Sequence, residues 1–450
     1  MSTPLSPLVL AERSVPRYTS YPTAPQFTPT VDATVAGRWL AGLATDAALS
    51  LYLHVPYCRS ICTYCGCHTK AARRDDPLEA YTETLLAEID VVARATPARR
   101  VTHIHWGGGT PSLLGPERLT RLVNRIAERF DLSAIIEHAI ELDPRTVDEP
   151  LVEALAACGV NRASLGVQDM NAHVQEAIGR IQPFEVVATC VGLLRKHGIA
   201  AVNLDLMYGL PKQSVEDVVR TATLAASLSP SRLALFGYAH VPWFKTHQRL
   251  IDAATLPGAG ERLEQAAAAT AALVAEGYQV IGLDHFARPD DPMAIAAREG
   301  TLRRNFQGYT TDVADALIGL GASSIGRAPE GFMQNAPDVG AWRRAVEAGQ
   351  LSIVRGCAVS QDDVLRGGVI ERLMCDFAVD FGALAAAATG ESHALDDALP
   401  DLEGLQRDGV LELDGRMLRL TDRGRPFMRL AAAAFDVYLR AGKGRHSVAV

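Results

Sequence analysis

No stretch of this chain is apolar for long enough to cross a membrane. The longest apolar runs, such as Ala266 to Val274, are rich in alanine and far short of the ~20 residues that a helical span needs. No secretory leader is expected either, because the segment from Met1 to Arg17 carries Glu12 and three prolines and has no extended apolar centre. Positive charge is not in excess. The formal net charge is −8 and the pI about 5.9, which argues against the concentrated basic face of a nucleic-acid-binding protein. These absences read as a soluble, cytoplasmic chain with no nucleic-acid partner and no membrane insertion. No dimerisation stripe is visible, so a monomer is expected.

A disulfide framework is absent as well. Such frameworks spread their cysteines through short secreted chains. Here there are eight cysteines in 450 residues, and four of them, Cys58, Cys62, Cys65 and Cys67, crowd into ten positions. Four thiols packed so tightly in a cytosolic chain point to a metal. Otherwise the composition is that of an ordinary globular protein, 48% hydrophobic and 21% charged, and long enough for two or three domains at roughly 150 residues each.

Pro16, Pro22 and Pro25 frame the segment Arg17-Tyr18-Thr19-Ser20-Tyr21, which can be neither helix nor central strand. It reads as a disordered tail or as an ordered strap that hides its two tyrosines, and the first fifty residues as a whole read as irregular. From residue 51 short apolar runs alternate with amphipathic helices. Strands are predicted at 51–55, 101–106, 139–142, 162–167, 201–207 and 232–238. A helix capped by Asp76 carries Leu78, Tyr81, Leu85, Ile89 and Val92 at helical spacing. Strands alternating with helices imply a parallel sheet with right-handed crossovers, either an incomplete barrel or an open doubly wound sheet. In both cases the site lies at the carboxyl ends of the strands. After about residue 360 the rhythm changes to helices, a hairpin around Asp414-Gly415, and a last helix from Thr421 to about Leu439, which resembles a small winged-helix domain.

The motifs fall just after the predicted strands. Cys58-Arg-Ser-Ile-Cys62-Thr-Tyr-Cys65-Gly-Cys67 lacks the second, distant pair of ligands that zinc sites usually show. Three thiolates spaced four and three apart on one loop can wrap an iron–sulfur cube and leave one iron open to a small molecule. Cys67 is a possible fourth ligand at a tight reach. Trp106-Gly107-Gly108-Gly109-Thr110-Pro111 lets backbone come close to a ligand. Glu141-Leu-Asp143-Pro144-Arg145, Gly166-Val-Gln168-Asp169 with Arg180 nearby, and Asn203-Leu-Asp205-Leu-Met-Tyr208-Gly209 place polar groups at the next three strand ends. Asp205, inside an apolar strand, needs a partner to offset its desolvation.

The cysteine spacing resembles the signature of the radical S-adenosylmethionine superfamily. The whole set resembles one family within it, the oxygen-independent coproporphyrinogen III oxidases (dehydrogenases) of haem biosynthesis. The most specific pieces are Pro16-Arg-Tyr-Thr-Ser-Tyr-Pro-Thr23, the ending Cys65-Gly-Cys67, Tyr238-Ala239-His240, Asp284-His285-Phe286-Ala287 and Asn305-Phe306-Gln307-Gly308-Tyr309-Thr310-Thr311. The resemblance implies an incomplete parallel (β/α)6 barrel over residues 46–355, an N-terminal strap over 1–45 and a small, mainly helical, winged-helix-like domain over 356–450.

It further implies that Cys58, Cys62 and Cys65 hold a [4Fe–4S] cluster, that Cys67 does not ligate it, and that two S-adenosylmethionine molecules bind. Tyr52, Gly108, Glu141 and Ile325 match positions around the molecule on the cluster. Tyr64, Gly109, Thr110, Gln168, Arg180, Asp205 and Ala239 match positions around the second. The implied reaction is oxidative decarboxylation of two propionates of coproporphyrinogen III to vinyl groups through a 5′-deoxyadenosyl radical, giving protoporphyrinogen IX. An external electron donor and an electron acceptor are needed, neither identified by the sequence. Because the substrate is a polyanion, Arg17, Arg288 and Arg304 are candidate carboxylate clamps. The rival reading is a haem chaperone of the same superfamily. Such chaperones typically lack the Cys-Gly-Cys ending and the proline-framed strap, both present here.

Overall fold

The computed structural model describes residues 5–440. The alternation of apolar and polar residues along each strand decides which face it buries. In β1 (Leu49–Val55), Leu49, Leu51, Leu53 and Val55 join the main apolar core, while Ser50, Tyr52 and His54 take the other face. β2 (Val101–Gly108), β3 (Glu137–Leu142), β4 (Arg162–Gln168), β5 (Ala201–Tyr208) and β6 (Arg232–Gly237) follow in chain order, all parallel. Between them run α1 (Asp76–Ala95), α2 (Gly115–Arg129), α3 (Glu149–Ala157), α4 (Phe184–Lys196) and α5 (Val215–Ser227), and α6 (Ala259–Ala275) follows β6. Six strand–helix units therefore form the predicted incomplete barrel.

The sheet is larger than predicted. β7 (Gln279–Ile281) and β8 (His285–Ala287) extend it past β6. β9 (Ala316–Leu320) returns to lie parallel to β1, and β10 (Ile325–Ala328), β11 (Gly331–Asn335) and β12 (Ile353–Ala358) continue antiparallel beyond it. The order of the twelve strands is β12-β11-β10-β9-β1-β2-β3-β4-β5-β6-β8-β7, an open sheet whose two edges do not pair.

The concave face is polar, in two layers. Near the amino ends of the strands, Arg162 donates to Glu137 at 2.8 Å and to Asn203 at 2.9 Å, Arg232 donates to Asp291 at 2.7 Å, and Asp312 pairs with Ser50 and with His103. These buried, mutually paired charges fill that end, so the interior opens toward the carboxyl ends.

Three local readings need correction. The first fifty residues contain a helix, Ala33–Ala41, whose N-cap Asp32 accepts from Thr34 and Val35 at 2.9 Å; Gly37 in its middle obscured the pattern. The Asp76 helix starts one residue earlier in cap terms, with Asp75 at the cap position, where it pairs with Arg59 at 2.9 Å instead of capping. The predicted last helix is broken into pieces at Arg425–Phe427, Met428–Ala433 and Val437–Arg440. Pro426 stands in the first piece. At the break Asp436 accepts backbone N–H from Tyr438 and Leu439 and a hydroxyl from Tyr18.

That last bond orders the strap. Tyr18 and Tyr21 are only 3% and 8% exposed and pack, with Leu10 and Val15, into a second apolar core. The same core holds the helix Gln361–Asp376 and the later helices, followed by a hairpin of Leu411–Asp414 and Met417–Leu420 to which Ala378–Asp380 adds a third strand.

One buried network ties α1 to the end of β1. Tyr81 donates to the carbonyl of His54 at 2.6 Å, and Glu88 accepts from the Gly321 N–H at 2.6 Å and from Asn335 at 2.7 Å. Burial pushes the Glu88 carboxyl up to about 7 from an ordinary 4.5. Between those two values the folded protein holds a proton that the unfolded chain releases, so Glu88 makes stability fall as pH rises through that window. Glu88→Gln is expected to flatten this dependence, measured as denaturant midpoints across pH 5 to 7.5 on anaerobic protein. An unchanged slope would show that Glu88 is ionised throughout.

Candidate active site

β1 ends at Val55 and runs directly into the cysteine loop; β2 ends in the glycine loop. The two loops are stitched together by backbone: Gly109 N–H donates to Val55 at 2.9 Å and Thr110 N–H to Tyr57 at 2.7 Å. The approach is so close that side chains are excluded. A Cβ on Gly109 would lie 2.5 Å from the Tyr57 carbonyl oxygen. One on Gly108, which has φ +110°, would lie 2.5 Å from the His54 ring.

The thiols of Cys58, Cys62 and Cys65 are free, and each has a polar contact of its own. Thr110 donates to Cys58 at 3.4 Å, with the Thr69 hydroxyl 3.3 Å away; Arg180 donates to Cys62 at 3.6 Å; the Cys67 N–H donates to Cys65 at 3.4 Å. The Cys67 thiol, helped by His247 and Lys245, draws the Cys65 thiol down to about 6, toward the thiolate that binds metal. Among the described residues, the one set of three metal-capable side chains whose ligand atoms all lie within 4.8 Å of one another is Glu149, Glu153 and His197, on the surface. The cysteines are thus not drawn in around a point. A single tetrahedral zinc, with sulfur at about 2.3 Å, would need that. Three separated thiols with N–H and O–H donors fit a larger iron–sulfur group, whose potential such donors tune.

Beside the cysteines, Glu141 accepts from Gly108 N–H at 3.1 Å and from His105 Nε2 at 3.3 Å. Tyr52 stacks on His105, with ring centroids 5.9 Å apart, and donates to His54 Nδ1 at 3.0 Å; His54 Nε2 in turn donates to the His68 carbonyl at 3.0 Å. Burial pushes the His54 imidazole below its usual value, so it acts here as a neutral relay that fixes the tyrosine hydroxyl. Tyr52 lies opposite Gly319 on β9, and Gly319 is packed against Ile325, which brings Ile325 to the same place.

The second group lies across the opening. Arg180 donates to Gly166 at 2.6 Å and sits 3.3 Å from Asp143, which Arg145 grips with two bonds of 2.9 and 2.6 Å. Gln168 has φ +68° at a bulge between β4 and β5, and its amide nitrogen is pressed against Gly166. Asp205 accepts from Ser164 at 3.1 Å; burial, with Glu141 adding, pushes its carboxyl up to about 6. Tyr64 and Ala239 are linked through Gln248, which donates to both their carbonyls, at 2.8 and 3.3 Å. All fourteen residues singled out in the sequence thus gather at the carboxyl-end opening.

The three candidate carboxylate clamps lie at different ends of the sheet. Arg288 is corrected: its N–H bonds Ser231 at the amino end of β6, so it lies at the closed end. Arg17 and Arg304 are at the open end. Arg17 donates to Gly237 at 3.2 Å, and Arg304 lies over the Tyr309 ring at 4.3 Å and donates to Tyr18 at 3.3 Å, with one buried Nη unpaired. Against the upward push of burial, His285, Arg304 and Arg17 hold Asp284 at about 2. Arg262 and Arg429, which sequence reasoning missed, stand in the same field of charge. So does a segment that no motif announced: Lys245, His247 and Gln248 donate to the carbonyls of Cys67, Cys65 and Tyr64, roofing the cysteine loop.

Residues 52–225 match the model of the radical SAM superfamily, and residues 359–427 that of the HemN C-terminal domain. The chain is 49% identical over 440 residues to the oxygen-independent coproporphyrinogen III oxidase of Bradyrhizobium diazoefficiens, covering 98% of each chain. The chain belongs to the oxygen-independent coproporphyrinogen III oxidase family. The family member of Paracoccus denitrificans is 44% identical over 447 residues, covering 99% of each chain. The solved structure of coproporphyrinogen III oxidase (HemN) from Escherichia coli, described as a radical SAM enzyme, superposes with a TM-score of 0.89 at 35% identity, covering 95% of this chain and all of that one.

The three-thiol assignment makes a sharp prediction. Cys58→Ser, Cys62→Ser and Cys65→Ser each lose most of the iron and sulfide after anaerobic reconstitution, while Cys67→Ser keeps both. Loss of the cluster in the Cys67 variant would overturn the assignment.

Proposed function

We infer that this chain carries out the anaerobic oxidative decarboxylation of coproporphyrinogen III in haem biosynthesis. Two propionate side chains become the vinyl groups of protoporphyrinogen IX, each giving up one hydrogen atom, one carbon dioxide and one electron. The observation that carries this reading is the meeting of three free thiols, the glycine loop and the Glu141 carboxylate at one barrel mouth, in a chain that aligns end to end with family members. No observation favours the haem-chaperone reading.

Cys58, Cys62 and Cys65 would hold a [4Fe–4S] cluster with one iron left for S-adenosylmethionine. When bound, the two together supply the one-electron chemistry that removes a hydrogen atom from the propionate chain. The protein's own residues do the positioning. Glu141 and the Gly108 backbone present an acceptor and a close, side-chain-free approach for an amino group, and Tyr52, fixed by His54, and Ile325 wall the same place. We assign Tyr64, Gly109, Thr110, Gln168, Arg180, Asp205 and Ala239 to a second S-adenosylmethionine. Asp205 suits it, because a carboxylate inside the sheet with one hydroxyl partner has lone pairs left for ribose hydroxyls. The paired charges at the closed end keep water from entering behind the substrate.

The substrate's carboxylates need cations, and Arg17 and Arg304 supply them at the open end. An Arg–carboxylate bond contributes about 1.5–3 kcal/mol, so Arg304→Gln is expected to raise KM for coproporphyrinogen III roughly 10- to 100-fold. S-adenosylmethionine binding should be unchanged. Anaerobic turnover with a chemical reductant, following vinyl product and carbon dioxide, checks both points. No product from cluster-loaded wild-type protein would contradict the function, and an unchanged KM would contradict the role of Arg304.

A further inference from the structure

The reaction consumes electrons delivered from outside, and the structure shows one surface suited to deliver them. The roofing segment that follows β6 has two faces. Its inner face bonds the cysteine loop through Lys245 to Cys67 at 2.8 Å, His247 to Cys65 at 2.6 Å and Gln248 to Tyr64 at 2.8 Å. Its outer face is a tight turn in which the N–H groups of Phe244 and Lys245 both bond the Val241 carbonyl at 2.9 Å. That turn and the short 3-10 helix after it, Thr246–Leu250, hold Trp243, Phe244 and Leu250 in solvent at 59%, 74% and 76% exposure. Three large apolar side chains held out within one short segment are not explained by folding, because leaving each in water forgoes about 1.5–3 kcal/mol of burial.

Within the segment cations outnumber anions, with Lys245 and Arg249 against Asp252. Lys245 lies 5.2 Å from the centre of the Phe244 ring, and Arg249 folds back to donate to the Pro242 carbonyl at 3.3 Å. Lys70, Arg73 and Arg74 are exposed in the stretch that leaves the cysteine loop, three to seven residues beyond the Cys67 that Lys245 grips; of these Arg74 is paired with Asp76 at 3.9 Å, while Asp75 is taken by Arg59. A local excess of cations in a chain of net charge −8 is a departure that needs a cause.

We propose that the face formed by Trp243, Phe244 and Leu250 with its rim of Lys245 and Arg249 is the docking surface for a small acidic one-electron carrier, which reduces the cluster held by the loop beneath. This rests on the functional reading above. Apolar anchors within a charged rim suit a brief encounter steered by opposite charge. Each encounter transfers one electron from the carrier's reduced centre to the cluster; the carrier leaves oxidised by one electron, and no bond is made or broken.

The test uses cluster-loaded protein and a photoreduced, acidic plant-type [2Fe–2S] ferredoxin as the carrier, with dithionite as a small donor that needs no docking surface. In the doubly substituted protein, Phe244→Ser with Arg249→Glu, the second-order rate of cluster reduction by the ferredoxin should fall at least tenfold, and its binding measured by calorimetry should weaken in step. The wild-type rate should fall as salt is raised. Iron content, dithionite reduction and KM for coproporphyrinogen III under dithionite should not move. An unchanged ferredoxin rate, or one indifferent to salt, overturns the proposal. A raised KM with an unchanged ferredoxin rate assigns the patch to the substrate's mouth instead. Cluster reduction is read without turnover, so a failure of the functional reading would show separately as absence of vinyl product from the wild-type protein.

Discussion

Two backbone hydrogen bonds, from Gly109 to Val55 and from Thr110 to Tyr57, hold the cysteine loop against the glycine loop, and the rest of the site depends on them. They exist because β1 and β2 are parallel neighbours in register, Leu53 opposite Trp106 and Val55 opposite Gly108, so both strands deliver their loops to the same edge at the same height. Glycine is required there for want of space: Tyr57 backbone and the His54 ring occupy the volume that side chains would take. Once the loops are joined, Thr110 reaches Cys58, and Glu141 on the next strand reaches the Gly108 N–H. A sheet register is thereby converted into a fixed relation between three thiols and a carboxylate.

The charges of the interior follow a consistent division. At the closed end buried cations are paired with anions, Arg162 with Glu137 and Arg232 with Asp291. At the open end the balance is broken on purpose-built sides: Glu141 and Asp205 face the middle, while Arg17 and Arg304 gather about the single carboxylate of Asp284. Such an arrangement suits two unlike guests, a cationic sulfonium amino acid and a tetrapyrrole bearing several carboxylates.

Much of this could be read from sequence. The six parallel strands and their helices announced themselves because each strand alternates or runs apolar for five to eight residues and each helix keeps its period; β5, with Val202, Leu204 and Leu206 on one side and Asp205 on the other, is typical. The site residues were legible because they stand at strand ends beside short motifs. The antiparallel extension β10 to β12 was not, since strands of only four to six residues resemble loop even where Pro329-Glu330-Gly331 marks a turn between them. The Ala33–Ala41 helix was hidden by Gly37; at the break over residues 434–436, Asp436 bonds the N–H groups of Tyr438 and Leu439 and also Tyr18, 418 positions away, a partner that no local pattern announces. The roof over the cysteines was missed for a similar reason: Lys245, His247 and Gln248 act through long-range bonds to backbone carbonyls, which no local pattern encodes. Arg288 was misplaced because sequence gives a residue's strand without the end of the sheet that it faces.

In the proposed site the loop grips a four-iron cube by three corners and leaves the fourth for a small molecule. Mössbauer spectroscopy of protein reconstituted anaerobically with ⁵⁷Fe tests it most directly. The account predicts four irons per chain, one of them distinct, whose parameters alone shift when S-adenosylmethionine is added. Four equivalent irons indifferent to that addition, or a site that takes up zinc and no sulfide, would contradict it.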